Sequence, residues 1–118
     1  MKILERHDYS GYVRRVVTNH HLDKEMRYRS YLIPFLDALC MEAVASRESL
    51  IEILGLGENP NPVDAIRTLL TNVTMPIQKP EKGSVWPIED GGWYETLDGD
   101  RYRVNPGFAK AWNERRNT

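Results

Sequence analysis

The chain has 118 residues, of which 41% are hydrophobic and 28% are charged, and sixteen basic side chains stand against seventeen acidic ones. This length suits one domain with one core, and the apolar content excludes a disordered chain. The formal net charge of −1 excludes a protein that coats nucleic acid through a general basic excess, so any contact with DNA must come from a local patch.

The cysteine content and the apolar runs indicate a cytoplasmic protein. Cys40 is the only cysteine, so no internal disulfide can form, and its apolar helical surroundings predict a small core residue. No apolar run approaches the roughly 20 residues of a membrane span. The first residues lack the apolar stretch of a secretory signal. We therefore expect a soluble protein without a membrane partner.

Residues 1–30 are compatible with more than one structure. Five residues would line one face of a short helix, although their β-branched members equally suit a strand: Tyr9, Tyr12, Val13, Val16 and Val17. We interpret this segment as an N-terminal extension, either helical or dimerising. The domain proper is then predicted to cover residues 31–118.

A sharper helical period begins at Ser30, which is a suitable N-cap. Pro34 is acceptable only in the first turn of such a helix or at a kink. Apolar positions recur every three or four residues and predict one buried face through about residue 45, formed by Leu32, Phe35, Leu36, Leu39, Ala43 and Val44.

A second, shorter helix is predicted to start at Ser46. This serine is a good N-cap, and Glu48 places a negative charge in the first turn, where it suits the helix dipole. Gly55 or Gly57 is predicted to end the helix. Its buried side is predicted to consist of Leu50, Ile51, Ile53 and Leu54.

The third predicted helix has the clearest start in the chain. Asn61 supplies a capping oxygen, Pro62 takes the first helical position, and Asp64 follows in the first turn. Asn72 is predicted to end the helix. Its inward stripe is predicted to be Val63, Ile66, Leu69, Leu70 and Val73.

The periodicity changes after this helix. Residues 74–92 contain three prolines and are predicted to form an irregular connection. Residues 93–97 and 101–104 then have the pattern of two strands joined by the tight turn Asp98-Gly99-Asp100. A second asparagine–proline pair, at 105–106, opens a last helix whose inward residues are predicted to be Phe108, Ala111 and Trp112.

Three helices with a tight middle junction, followed by a β-hairpin, are the order of winged helix-turn-helix domains. The sequence resembles that superfamily over about residues 31–105, through the helix 46–54, the turn 55–60, the helix 61–73 and the hairpin 93–104. The resemblance implies a mainly α fold with a small β-hairpin, of class α+β. A three-helix core, a wing and a C-terminal helix are its expected parts.

The resemblance implies a DNA-binding protein, expected to be a small transcriptional regulator that acts as a homodimer. The helix 61–73 would enter the major groove and the wing would hold the backbone. Its outward side is predicted to include Asp64, Ala65 and Asn72. The candidate DNA-binding residues are Asn61, Arg67, Thr68 and Thr71 on the helix and Lys79, Lys82, Arg101 and Arg103 on or near the wing. Arginine can bind guanine, threonine a thymine methyl or a phosphate, and lysine the phosphates.

The alternative is a winged-helix module that binds protein, as an adaptor or inhibitor subunit. Asp64 on the presumed reading helix would repel phosphate, and Trp86 in an irregular segment is a candidate exposed anchor. Phe108 and Trp112 are further partner-binding candidates. We expect no enzyme, cofactor or metal site, because the sequence lacks paired carboxylates, a nucleophile with its base, a phosphate-binding loop and any recognised metal-ligand spacing.

Overall fold

The computed structural model describes residues 6–77 and 86–115. Within them lie five α-helices and three short strands: α1 (Tyr9–Leu22), α2 (Arg29–Met41), β1 (Val44–Ser46), α3 (Arg47–Ile53), α4 (Pro62–Ile77), β2 (Tyr94–Leu97), β3 (Arg101–Val104) and α5 (Pro106–Arg115). The strands form an antiparallel sheet in the order β1–β3–β2. The fold is therefore mainly α with a small sheet, and the α+β class predicted from the sequence is confirmed.

Local capping signals set the helix starts as predicted. The Ser46 side chain accepts a hydrogen bond from the Ser49 backbone N–H at 3.1 Å at the start of α3. The Asn61 side chain accepts from the Asp64 N–H at 3.1 Å, directly before Pro62 opens α4. Each bond satisfies a backbone donor that the first helical turn leaves without an intrahelical partner.

The helix predicted from Ser30 to about residue 45 is shorter than expected. It begins at Arg29 and ends at Met41, and Val44 then starts β1. Val44 and Ala43 were assigned to the buried helical face, but both are exposed. The prediction is wrong here because Val44 pairs with Arg103 of β3, and this long-range ladder outweighs a local helical period that the strand residues happen to continue.

The third predicted helix is longer than expected. Instead of ending at Asn72, α4 continues to Ile77, and it includes Pro76 in its last turn. Thr74 and Ile77 are buried, so this added turn extends the inward stripe. Val63, predicted inward, is exposed, as is Ile53 of α3, which is 60% accessible.

The helix α1 belongs to the same core as the rest of the chain. Tyr12, Val13 and Val16 are buried among core residues, and α1 packs against α4 and α5. Asp8 caps its start by accepting from the Gly11 N–H at 3.0 Å. The helical alternative for this segment is confirmed, and one apolar face of α1 supplies part of the only core cluster in the described ranges.

The C-terminal aromatic residues join the sheet to the helices. Trp93 is fully buried, its indole N–H donates to the Thr74 hydroxyl at 3.0 Å, and its ring lies 5.2 Å from that of Phe108. Trp112 is also fully buried, and its indole N–H donates to Asp37 Oδ1 of α2 at 2.9 Å. These contacts hold α5 and the start of β2 against α4 and α2.

The close approach of the chain at Gly92 leads to a stability prediction. A Cβ placed on Gly92 would lie 1.7 Å from the Trp86 carbonyl oxygen, so the backbone must move. We expect Gly92→Ala to lower the free energy of unfolding by about 1–3 kcal/mol, as overpacking does. Gly57→Ala is the matched control, because no atom lies within 4 Å of that Cβ. Urea unfolding should separate the two variants; equal midpoints would contradict the packing described.

Candidate nucleic-acid interface

One edge of α4 is open to solvent along its length. The buried side of the helix packs on the core through Ala65, Ile66, Leu69, Leu70, Val73, Thr74 and Ile77. Exposed residues recur every four positions on the other side, as Val63, Arg67, Thr71 and Met75. Because a spacing of four keeps side chains on one face of a helix, these residues form a continuous stripe, which we call the α4 edge.

The neighbouring flank of α4 is partly occupied by the connection between α1 and α2. The Arg27 guanidinium lies 3.5 Å from the Asp64 carboxylate, and the Asn72 side chain donates to the Arg27 carbonyl at 2.8 Å. Thr68 lies between these two positions on the helix and is half-buried. Ala65, predicted to point outward, is fully buried. The outward face of α4 is therefore narrower than predicted and centres on Arg67 and its stripe.

Two polar candidates on α4 have part of their hydrogen-bonding capacity used within the protein. Asn61 is exposed at the N-terminus of the helix, where its side-chain oxygen caps the first turn. The Thr71 hydroxyl donates to the Arg67 carbonyl at 3.0 Å. Thr71 can thus offer a ligand its methyl group more readily than its hydroxyl proton.

Carboxylates accompany the two candidate arginines of the hairpin. Arg101 forms an ion pair with Asp98 in the turn, and Arg103 forms one with Glu95 directly across the strand pair. Exposed ion pairs of this kind contribute little free energy, so a phosphate can compete for either arginine. The local charge of the hairpin is nevertheless balanced.

A buried tyrosine lies in the central strand of the sheet. Tyr102 of β3 is 4% exposed, and burial raises the pKa of its hydroxyl. Arg47 lowers this pKa through its charge and a hydrogen bond. Asp100 raises the same pKa and Arg67 lowers it, both by smaller amounts. Arg47 directly follows β1, which pairs with the strand that carries Tyr102. Sequence reasoning missed Arg47, because its position here depends on the pairing of β1 with β3.

The remaining candidate residues are two lysines near the hairpin and three aromatic residues. Lys79 and Lys82 lie outside the described residues. Phe108 and Trp112 are fully buried, so their assignment to a partner surface is wrong; their spacing of four places both on the inward face of α5. Trp86 is half-buried, with the Arg6 guanidinium 5.0 Å from its ring centre.

Candidate metal ligands do not cluster in the described part of the chain. Between residues 6 and 77 and between 86 and 115, no group of three or more His, Cys, Asp or Glu side chains is placed to hold a metal ion. Burial raises the pKa of the Cys40 thiol to about 12, as befits a core residue. Over the same ranges, no helix is both long and apolar enough to cross a membrane.

No family model, curated protein or solved structure matches this chain. What the protein does must be inferred from its own geometry.

Proposed function

We propose that this chain is a winged-helix protein that binds duplex DNA, with α4 in the major groove and the β2–β3 hairpin beside the backbone. The order of elements supports the proposal, since α2, α3 and α4 precede the hairpin and β1 joins it as a third strand. Because β1 leads directly into α3, the sheet and the helix pair are held together. A helix about 10–12 Å across fits a groove about 12 Å wide.

The observation that carries the proposal is the position of Arg67. It is exposed at the middle of the α4 edge, and no carboxylate among the described residues forms an ion pair with it. A duplex that lies against the α4 edge would therefore meet a cation that no described carboxylate neutralises. We assign Arg67 a charged contact with DNA, and Thr71 an apolar contact with a thymine methyl.

A small transcriptional regulator that binds as a homodimer fits this mode. The chain has a formal net charge of −1, so one copy offers few uncompensated cations. Two copies on a two-fold symmetric site would double that footprint.

Arg67→Ala tests the proposal directly. We expect this variant to bind duplex DNA more weakly by about 1.5–3 kcal/mol, the range of a hydrogen bond to a charged group. Its melting temperature should not change, because the side chain is exposed. The measurement is fluorescence anisotropy with a labelled mixed-sequence duplex at about 50 and 200 mM salt.

Lys110→Ala is the matched control for that titration, because it removes the same charge from an exposed position on α5. It should bind as the wild type does. Failure of the wild-type protein to bind at the lower salt concentration would contradict DNA binding.

The balanced charge of the hairpin favours a second candidate, a winged-helix module that binds protein. Asp64, Glu95 and Asp98 each neutralise an arginine on or beside the proposed DNA-binding face. A protein partner should stay bound to this chain after nuclease treatment and should not bind the Arg67→Glu variant. The duplex titration should remain negative. A partner that nuclease releases would contradict this candidate.

A further inference from the structure

One face of the small sheet carries two arginines on its central strand. Arg101 and Arg103 are two positions apart in β3, so their side chains lie on the same face, whereas Tyr102 between them is buried on the other face. The two arginine side chains are 47% and 50% exposed, so a ligand can reach both. The hairpin thus displays two cations side by side next to its turn.

Each of these arginines forms an ion pair with a carboxylate of the same hairpin. Glu95 of β2 lies directly opposite Arg103, and their side chains form one pair. Opposite charges that face each other across an antiparallel pair of strands attract. Asp98 in the turn forms the second pair, with Arg101 three residues further along the chain. Both cations are therefore occupied in the free protein.

The other neighbours of the two arginines across the sheet are uncharged. Arg103 lies opposite Val44 of β1 on its second side, and Arg101 lies between Leu97 of β2 and Ser46 of β1. Among residues 6–77 and 86–115, no other carboxylate forms an ion pair with either arginine. Removing one carboxylate would therefore free one guanidinium.

The two ion pairs differ in how far solvent screens them. The Glu95 side chain is 30% exposed and that of Asp98 is 73% exposed. Because water and salt weaken an exposed charge pair most, Glu95 binds Arg103 more firmly than Asp98 binds Arg101. Exposed ion pairs add little to the stability of a fold, so neither pair is required to form the hairpin.

We propose that these two carboxylates are autoinhibitory: Glu95 and Asp98 occupy Arg103 and Arg101 in the free protein, and a DNA phosphate must displace them to bind either guanidinium. The proposal rests on the DNA-binding function above and concerns the regulation of its affinity. A carboxylate and a phosphate both accept hydrogen bonds from the planar fork of a guanidinium, so they compete for the same N–H groups. Because phosphate contacts carry no sequence information, this competition weakens binding to every duplex.

Replacing each carboxylate by its amide tests the competition. Glu95→Gln keeps the shape of the side chain and removes its charge, so it should tighten binding to the labelled mixed-sequence duplex about fivefold at about 50 mM salt. Asp98→Asn should tighten binding only about twofold, because its ion pair is more exposed. Position 98 has a φ of 51°, in the left-handed region that asparagine tolerates as aspartate does, so the turn is kept.

Glu114→Gln is the matched control. Glu114 lies 3.9 Å from Lys110 on α5, so this substitution makes the same change in charge and frees a cation outside the proposed interface. It should change the DNA affinity by less than Asp98→Asn does. A gain as large as that of Glu95→Gln would show that net charge alone sets the affinity, and it would overturn the proposal.

Arg103→Gln separates competition for the guanidinium from direct repulsion of DNA. In that background no guanidinium remains for Glu95 to occupy, so Glu95→Gln should tighten binding no more than Glu114→Gln does. An equal gain in the wild-type and Arg103→Gln backgrounds would overturn the proposal, since Glu95 would then act on the duplex itself. Circular dichroism should show the same helix content in every variant.

The autoinhibition and the proposed function fail in different ways. A wild-type protein that does not bind the duplex at the lower salt concentration overturns both. A wild-type protein that binds, with Glu95→Gln indistinguishable from Glu114→Gln, overturns the autoinhibition alone.

Discussion

Trp112→Ala is expected to lower the free energy of unfolding by about 3–5 kcal/mol, the usual cost of truncating a buried aromatic residue. Trp112 is fully buried where α5 packs on α2. Its indole N–H donates to Asp37 Oδ1 at 2.9 Å, and the Arg115 guanidinium lies 3.7 Å from the centre of its ring. The substitution removes the ring, the hydrogen-bond donor and the surface on which Arg115 lies.

Two controls separate these contributions. Trp112→Phe keeps an aromatic ring but loses the indole donor, so its loss should fall between those of the wild type and Trp112→Ala. Lys110→Ala changes an exposed residue of the same helix and should stay within about 0.5 kcal/mol of the wild type. Urea unfolding followed by far-ultraviolet circular dichroism gives all three values. A Trp112→Ala variant as stable as the wild type would mean that α5 does not complete this core.

Local signals in the sequence were sufficient wherever neighbouring residues determine the structure. Ser46 and Asn61 cap their helices as predicted, because a cap depends on residues two or three positions away. The hairpin turn was equally predictable: it consists of Asp98-Gly99-Asp100, and Asp98 and Gly99 adopt positive φ, of 51° and 80°, which aspartate and glycine tolerate. These features define most of the helices and the β2–β3 hairpin.

Features that depend on distant contacts were not predictable in the same way. Val44 continues the helical period of α2, and only its partner on β3, far along the chain, makes it a strand residue. Arg47 directly follows that strand, and its backbone N–H donates to the Asp100 carbonyl of the hairpin, so the strand and this contact were missed together. Phe108 and Trp112 were recognised as able to pack inward, but nothing in the sequence showed that Phe108 lies against Trp93 or that Trp112 donates to Asp37 of α2.

The charge pairs of the candidate site belong to this second group. Glu95 and Arg103 lie on different strands, and their ion pair follows from the register of β2 and β3. Arg27 reaches Asp64 only because the connection between α1 and α2 lies against α4. The sequence indicated a row of cations, whereas the fold pairs Arg101 and Arg103 with carboxylates and leaves Arg67 without one among the described residues.

Leu70→Ala tests the orientation of α4, on which the location of the whole interface depends. Leu70 is 6% exposed and belongs to the core, whereas the residues of the α4 edge are exposed. Truncation should open a cavity and lower the free energy of unfolding by about 2–5 kcal/mol. The measurement is the urea midpoint, with the DNA affinity determined under conditions where the variant is fully folded.

Met75→Ala is the matched control, since Met75 lies on the same helix but is 52% exposed. Alanine favours the helix and leaves no cavity at the surface, so this variant should remain within about 0.5 kcal/mol of the wild type. The folded Leu70→Ala protein should still bind DNA with the wild-type affinity, because Arg67 is unchanged and the substituted side chain faces the core. Should Leu70→Ala instead unfold like the wild type while Met75→Ala is strongly destabilised, α4 would present its other side to solvent, and the α4 edge could not be the surface that meets the duplex.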